Sequence, residues 1–253
     1  RKVDIPFEMS QSDSQILQDT TVYRVLDVEG FLTGKASYFH KSIGGYSAVR
    51  PKRMQELFDY QISKNNIEVL NMLNVKYILQ SDEKGQEFPV QNPDANGNAW
   101  FVSKIQFVPN ADAEMKALTK FDSKNVAIVN KEFTRLAQAN SIQLDSLAKI
   151  KLIQYKPNHL IYKSSNANDG IAVFSEIYYK DGWNAYIDTK KADYFKADYT
   201  LRAMKIPAGN HKIEFKFEPQ VVKTGSTIAL ISSLLMLVLI GGGVYFLRKE
   251  NNK

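Results

Sequence analysis

The densest collection of chemically capable side chains is Ser37-Tyr-Phe-His-Lys-Ser-Ile-Gly-Gly-Tyr-Ser-Ala-Val-Arg-Pro-Lys-Arg53. Three aromatics, a Gly-Gly pair and five protonatable side chains share one loop, which leads into a helix N-terminus near Pro51. Backbone N–H groups and guanidinium forks are suited to holding phosphate, and tyrosine rings offer flat faces to a sugar. The candidate ligand-binding residues are therefore Tyr38, His40, Lys41, Gly44, Gly45, Tyr46, Arg50 and Arg53. Arg50 and Arg53 lead the set, because a guanidinium grips phosphate with two parallel hydrogen bonds and an ammonium does not. Gly44 and Gly45 would let the backbone approach the ligand. A second reading makes the loop a packing element, or a turn beside anionic headgroups with its cations as solvated anchors. The residues alone leave both readings open.

A second constellation, Asp181-Gly-Trp-Asn-Ala-Tyr-Ile-Asp188, sets aromatic rings near carboxylates and could form a carbohydrate platform. A Trp that opens a strand is more often core, so Trp183 is expected to be buried. Nothing in the sequence brings Glu176 and Asp188 together as paired acids. Other chemistry is excluded more firmly. There are 0 Cys, which removes thiolate and Cys-zinc chemistry, and the 3 His stand far apart in sequence, so a His-based metal site is not expected. No Walker loop, dinucleotide glycine fingerprint, His-Glu-x-x-His or Gly-x-Ser-x-Gly occurs, so no catalytic residue, metal or cofactor is assigned. The net charge of +6 suits a neighbour such as anionic lipid, but without a clustered basic stripe it does not suit nucleic acid.

The elements that would position these groups fall into three regions. Residues 1–135 mix helical and strand signals and read as a small α/β region. Their strands are expected at Val22–Val28, Val75–Leu79, Trp100–Val108 and Val126–Val129, with helices after Pro51, over Ile67–Leu73 and over Ala111–Leu118. Residues 136–220 read almost wholly as strands. Ile213, Phe215 and Phe217 alternate with Lys212, Glu214 and Lys216, the pattern of a half-buried antiparallel strand. Pro207-Ala-Gly-Asn210 reads as a hairpin turn joining that strand to Tyr199–Ile206, and Lys180-Asp-Gly182 as one joining Ile171–Tyr179 to Trp183–Asp188. Ile150–Tyr155 and Leu160–Lys163 add two more strands, so a β-sandwich is expected. Residues 221–253 hold an uncharged stretch from Thr224 to Leu247, a transmembrane helix followed by a short basic tail with Arg248, Lys249 and Lys253. Tyr245 and Phe246 sit where an interfacial aromatic belt would lie. The fold class is thus α+β: a small α/β region, an antiparallel β-sandwich and a single C-terminal transmembrane helix. The opening Arg1-Lys-Val-Asp4 has no initiator Met or signal core, and the chain is read as an excerpt of a longer protein.

Five ordered segments carry a family likeness: Tyr38-Phe-His-Lys-Ser-Ile-Gly-Gly-Tyr46, Lys64-Asn-Asn-Ile-Glu-Val-Leu-Asn-Met-Leu-Asn74, Gly97-Asn-Ala-Trp-Phe101, Tyr179-Lys-Asp-Gly-Trp-Asn-Ala-Tyr186 and Arg202-Ala-Met-Lys-Ile-Pro-Ala-Gly-Asn-His211. Over nearly the whole chain the sequence resembles the C-terminal part of the YfhO-type bacterial membrane proteins, in the form of the Bacteroidetes branch. Asp188-Thr-Lys190 departs from the family's Asp-Gly-Lys, which affects the turn type. The resemblance implies a polytopic protein of the bacterial inner membrane, related to GT-C glycosyltransferases. It implies a soluble part facing outward and a cytoplasmic C-terminus. The implied partners are membrane lipid, a polyprenyl-phosphate sugar and an envelope glycan. In that architecture the catalytic Asp lies in an early outer loop beyond this chain, so this portion would bind donor or acceptor without being catalytic itself. A non-catalytic envelope protein, whose sandwich binds glycan or a protein partner, is the alternative.

Overall fold

The computed structural model describes residues 5–138 and 147–251. The opening Arg1–Asp4 and the tail residue Lys253 lie outside the described residues, as does the side chain of Phe246. The chain begins with α1 (Gln11–Ile16), where Ser10 forms a capping box: its hydroxyl accepts from the Asp13 N–H at 3.1 Å and its own N–H donates to the Asp13 carboxylate at 2.9 Å. Next come β1 (Arg24–Asp27), α2 (Lys35–Phe39), α3 (Lys52–Tyr60) and α4 (Ile67–Met72), the last capped by Asn66. Strands β2 (Val75–Ser81) and β3 (Glu87–Gln91) complete a sheet in the order β1-β2-β3, in which β1 and β2 run parallel. β1, α3, α4 and β2 follow the sequence expectation, whereas α1, α2 and β3 were not expected.

One expected strand is divided. Trp100–Val108 is two strands, β4 (Ala99–Val102) and β5 (Lys104–Val108), which join different sheets. The break is held open by Asn125, whose carbonyl accepts the N–H groups of both Ser103 and Lys104. Strand β5 then pairs in parallel with β6 (Val126–Asn130) across the connecting helix α5 (Ala111–Ala117). A short helix, α6 (Thr134–Ala137), ends this part.

The remaining strands are β7 (Lys149–Lys156), β8 (His159–Asn166), β9 (Gly170–Ile177), β10 (Trp183–Ile187), β11 (Lys190–Ala192), β12 (Phe195–Ala197), β13 (Leu201–Ile206) and β14 (Gly209–Phe217). They build two antiparallel sheets, β11-β10-β14-β8-β7 and β12-β13-β9-β4. Tyr162, Phe174 and Phe215 meet between them, with the Phe174 ring centroid 4.9 Å from that of Tyr162 and 5.0 Å from that of Phe215. The strand expected around Ile213 and Phe215 is therefore present and paired. The two hairpins are not. β9 and β10 lie in different sheets, and so do β13 and β14. Each turn carries the chain from one sheet to the other, which lets Phe174 and Phe215 bury against each other. Because β4 precedes residue 135 yet pairs with β9, the packing also runs through the point where the sequence pattern changes.

The described residues up to Tyr178, with Ala185–Phe215, form one compact unit, and Tyr179–Asn184 with the residues from Lys216 onward form another. In the second unit Gly182 has φ +97°, and a Cβ there would lie 2.6 Å from the Phe217 ring. Only glycine satisfies both limits. Trp183 packs on Phe217 at 5.4 Å but is half-buried, not the core residue expected, because Phe217 is itself 39% exposed and gives it only a partial cover. The chain then enters α7 (Gln220–Asn251), 32 residues that pass through Gly241-Gly242-Gly243 without a break. It is long and apolar enough to cross a membrane, and its apolar window has no buried residue.

Phe174 is fully buried in this packing. Phe174→Ala should cost about 3–5 kcal/mol, the usual loss for a core aromatic, while Trp183→Ala should cost clearly less. Denaturant unfolding of both variants in detergent checks the ranking.

Candidate functional site

The structure gives the loop residues separate roles. After α2 the chain runs beside β1: the Val25 N–H donates to the Lys41 carbonyl at 2.9 Å, and the Ile43 N–H to the Val25 carbonyl at 3.0 Å. That attachment turns His40 inward, where its Nε2 lies 2.8 Å from the Asp13 carboxylate with the imidazole only 1% exposed. Gly44 passes so close to Phe31 that a Cβ would sit 2.5 Å from the Phe31 carbonyl oxygen, and Gly45 takes φ +99°. The Gly-Gly pair thus serves backbone packing. Arg50 folds back to donate to the Gly45 carbonyl and, at 3.0 Å, to Gln55 Oε1, over the Phe31 ring. Lys41 rests 4.0 Å above the Tyr155 ring, and burial pulls its pKa below the usual lysine value against the opposing pull of Glu176. Tyr38 and Tyr46 are exposed.

Gly44, Gly45, Tyr46 and Arg50 do come together around a cavity of about 230 Å³, with Phe31 and Met54 as apolar walls. That is below the several hundred Å³ usual for ligand sites. His40, Lys41, Arg53 and Tyr38 do not line it. The cations of this loop do not converge on one concave surface.

Arg53 belongs instead to a buried acidic cluster. Its Nη1 donates to the Tyr199 carbonyl at 2.8 Å and to Glu114 Oε2 at 3.3 Å, and its guanidinium lies 4.4 Å from the Tyr199 ring centroid. Asp198 and Tyr199 form the turn between β12 and β13 with positive φ at both residues, 48° and 69°. That geometry is unusual for non-glycine residues and aims the Asp198 carboxylate into the core, where it accepts the Ile128 N–H at 2.7 Å. Burial pushes the Asp198 pKa up to about 7, the Ile128 hydrogen bond opposes the rise and Glu114 adds to it. Burial raises Glu114 too, against the pull of Lys196 and Arg53.

A larger concavity of about 510 Å³ is lined by residues that were not among the candidate site residues. Thr20, Thr21, Asn96, Gly97, Asn98, Lys151 and Tyr155 are among its lining. Asparagines brace it. Asn92 Nδ2 donates to Asn71 Oδ1 at 2.8 Å, the Asn96 N–H donates to the Asn71 carbonyl, and Asn74 Nδ2 donates to Asn98 Oδ1 at 3.3 Å. Gly97 supplies φ +84° at the apex, with open space where a Cβ would be. Amides, hydroxyls and one phenol ring around a half-open cleft are the groups that recognise a polyhydroxylated ligand. Gly97 and Asn98 belong to a segment that carried the family likeness, but nothing local announced that this turn would face Thr20 and Tyr155. Trp183, Glu176 and Asp188 are not part of this lining, and no group of His, Asp and Glu able to hold a metal ion occurs among the described residues.

Residues 109–229 match the family described as bacterial membrane protein YfhO. The stretch runs from α5 through both sandwich sheets into α7 and leaves out the Tyr38–Arg53 loop. No curated protein and no solved structure matches the chain.

The acidic cluster sets a pH dependence. An unfolded Asp titrates near pH 4. Between about pH 4 and pH 7 the folded chain keeps a proton on Asp198 that the unfolded chain has released, so stability falls as pH rises through that window. Glu114 acts with the same sign. His211, raised by its bond to Asp188, adds stability that is lost as pH rises through its folded value. The thermal midpoint should be higher at about pH 5.5 than at about pH 8, and Asp198→Asn should remove most of the difference. An unchanged slope in that variant would contradict the assignment.

Proposed function

We propose that this chain is the membrane-anchored, extracytoplasmic portion of a polytopic YfhO-family protein, and that it holds a glycan for a lipid-linked sugar transferase whose chemistry lies outside these residues. The observation that carries the reading is the cleft of about 510 Å³ between Thr20–Thr21, Asn96–Asn98 and Tyr155, with its amide-braced rim. Neutral polar donors and acceptors discriminate sugar hydroxyls by direction, and the Tyr155 ring gives a face for sugar C–H groups. Helix α7 supports the anchoring half of the proposal, since a helix with an apolar surface all round calls for lipid or other helices as its solvent. The Tyr38–Arg53 loop takes a supporting role: Lys41 backs the cleft by resting on Tyr155, and Arg50 and Arg53 are spent on internal partners. The family's implied donor, a polyprenyl-phosphate sugar, and an envelope glycan as acceptor are consistent with a site that faces outward.

Orientation is directly testable, because the chain has 0 Cys and a single introduced thiol reports on itself. Lys84→Cys, in the exposed β2–β3 turn, should react with a membrane-impermeant maleimide on intact spheroplasts. Lys249→Cys should react only after the membrane is permeabilised. The opposite pattern overturns the outward placement. For ligand binding, the chain in lipid nanodiscs should retain neutral or acidic oligosaccharides on a glycan array, and Thr20→Val with Asn98→Ala should weaken the retained ones by about tenfold, the loss of one or two hydrogen bonds. A dark array, or retention identical in the variant, counts against the glycan reading.

A further inference from the structure

Strand β7 separates the cleft from a second groove. Lys151 and Ile153 line both. The second groove has a volume of about 640 Å³ and is lined by Lys149, Lys151, Lys163, Lys212 and His211, with Asp188 at one end. Four lysines on one concave strip need an explanation. The register sets Lys151 directly opposite Lys163, and Lys149 opposite Ser165, on neighbouring antiparallel strands. Like charges placed directly across a strand pair oppose pairing, and natural sheets usually set a carboxylate there instead. Here Lys149, Lys151 and Lys163 are exposed, and no salt bridge to them occurs among the described residues.

The lining carboxylate is not available to neutralise them. One oxygen of Asp188 lies 2.6 Å from His211 Nδ1 and the other accepts the Lys212 N–H at 2.9 Å. The Lys212 ammonium is paired with Glu214 at 3.0 Å, and Glu214 also meets His159 at 2.7 Å. The Asp188 bond keeps His211 towards its protonated form. What remains is a positive strip led by Lys149, Lys151 and Lys163. Its concavity favours a discrete ligand over a flat bilayer surface, which would meet a level or convex cationic face.

We infer that the Lys149–Lys151–Lys163 groove binds the anionic group of an acidic glycan, a phosphate or carboxylate carried by a sugar whose neutral part occupies the adjoining Thr20–Asn98–Tyr155 cleft. This rests on the glycan-binding reading and sharpens it from saccharide to acidic saccharide. Lys151 is the residue shared by both subsites, so it sets the spacing between the charged group and the neutral sugar. Lysine suits this role, since three flexible point charges follow an oxyanion through several poses, without the fixed fork that arginine imposes. Binding of this kind falls steeply with salt, because exposed charges are screened over about 8–10 Å near physiological ionic strength.

The test uses the whole chain in phosphatidylcholine nanodiscs, as wild type and as Lys151→Gln with Lys163→Gln. Three probes are titrated: oligogalacturonate, the same oligosaccharide fully methyl-esterified, and inorganic pyrophosphate. The expected result is that the acid form binds about tenfold or more tighter than the ester, that the double variant removes this gain, and that the ester binds both proteins alike. Pyrophosphate should bind the wild type with one site and lose affinity in the variant. Acid and ester binding equally well would overturn the charged subsite and leave the neutral glycan reading standing. Pyrophosphate binding with neither sugar form bound would overturn the saccharide class and the glycan reading together. Repeating the titration with phosphatidylglycerol in the nanodisc adds one more arm: loss of the acid-over-ester preference there would assign the strip to lipid headgroups and overturn the proposal. Both substitutions lie on exposed strand positions, and unchanged thermal midpoints will show that the variant is folded.

Discussion

A strand buried on both faces governs this structure. In β9, Ile171 and Val173 join the core that includes Leu73, Trp100, Val129 and Leu201, while Phe174 faces Tyr162 and Phe215 of the other sheet. The four-stranded sheet is thereby a middle layer, with the α/β elements on one side and the five-stranded sheet on the other. Every neighbour is fixed by that demand. β4 must leave the line of β5 to cover one edge of β9, and β13 must cover the other. The connections β9–β10 and β13–β14 cross between sheets, since β9 has both edges taken by β4 and β13, and β13 has both taken by β9 and β12. Even the polar groups obey the constraint. Ser175 at the end of the strand donates to the Met72 carbonyl and accepts from Arg24, whose guanidinium also reaches the Leu73 carbonyl, each at 2.8–2.9 Å.

This explains which parts were legible in the sequence. Alternation in Ile213-Glu-Phe-Lys-Phe217 identified one strand, although Glu214 on its polar side is buried and Phe217 is exposed, and continuous apolarity in α7 identified one helix. Pairing depends on a different element, and period-two alternation says which face is covered but not by what. The run Ile171-Ala-Val-Phe174 did contain the signal for a strand covered twice, since such strands lose their alternation. Turn chemistry at Pro207-Ala-Gly-Asn210 and Lys180-Asp-Gly182 was compatible with a hairpin and with a crossover alike. The Thr189 position shows the same limit: φ +73° there completes the β10–β11 turn with Asp188 at φ +47°, so the turn keeps a left-handed pair although glycine is absent.

The candidate site follows the same logic. Residue types chosen for their chemistry, His40, Arg50 and Arg53, were the ones best able to satisfy a neighbour, and the fold used them so. Four deeply buried carboxylates, Asp13, Glu114, Asp198 and Glu214, create local demands that draw in cations and N–H donors. A guanidinium beside such a group has a partner already and is poorly placed to meet a ligand. Residues with unremarkable chemistry, Thr20, Asn98 and Tyr155, are gathered from three distant segments, with the Asn96–Asn98 loop braced by asparagines and Tyr155 carried on β7. Sequence reasoning finds strong side chains; a site made from weak ones becomes visible only when the topology has assembled it.

The distribution of charge links the two scales. The chain carries a net +6, and three of its buried carboxylates meet inward partners: Asp13 meets His40, Glu114 meets Arg53 and Glu214 meets His159. An unpaired cation is costly to bury, so the Lys and Arg in excess lie mainly on the surface. Where they lie is a matter of strand register. Along β7 the outward positions 149, 151 and 153 alternate with inward Ile150 and Leu152, and the directly opposed outward positions of β8 are Lys163 and Ser165. A shift of one residue in that register would turn the lysines into the sandwich and expose the apolar row, which the core forbids. The same packing that hides Phe174 and Tyr162 therefore fixes the lysines in a row beside the cleft, and the positive strip is a consequence of how the hydrophobic faces close.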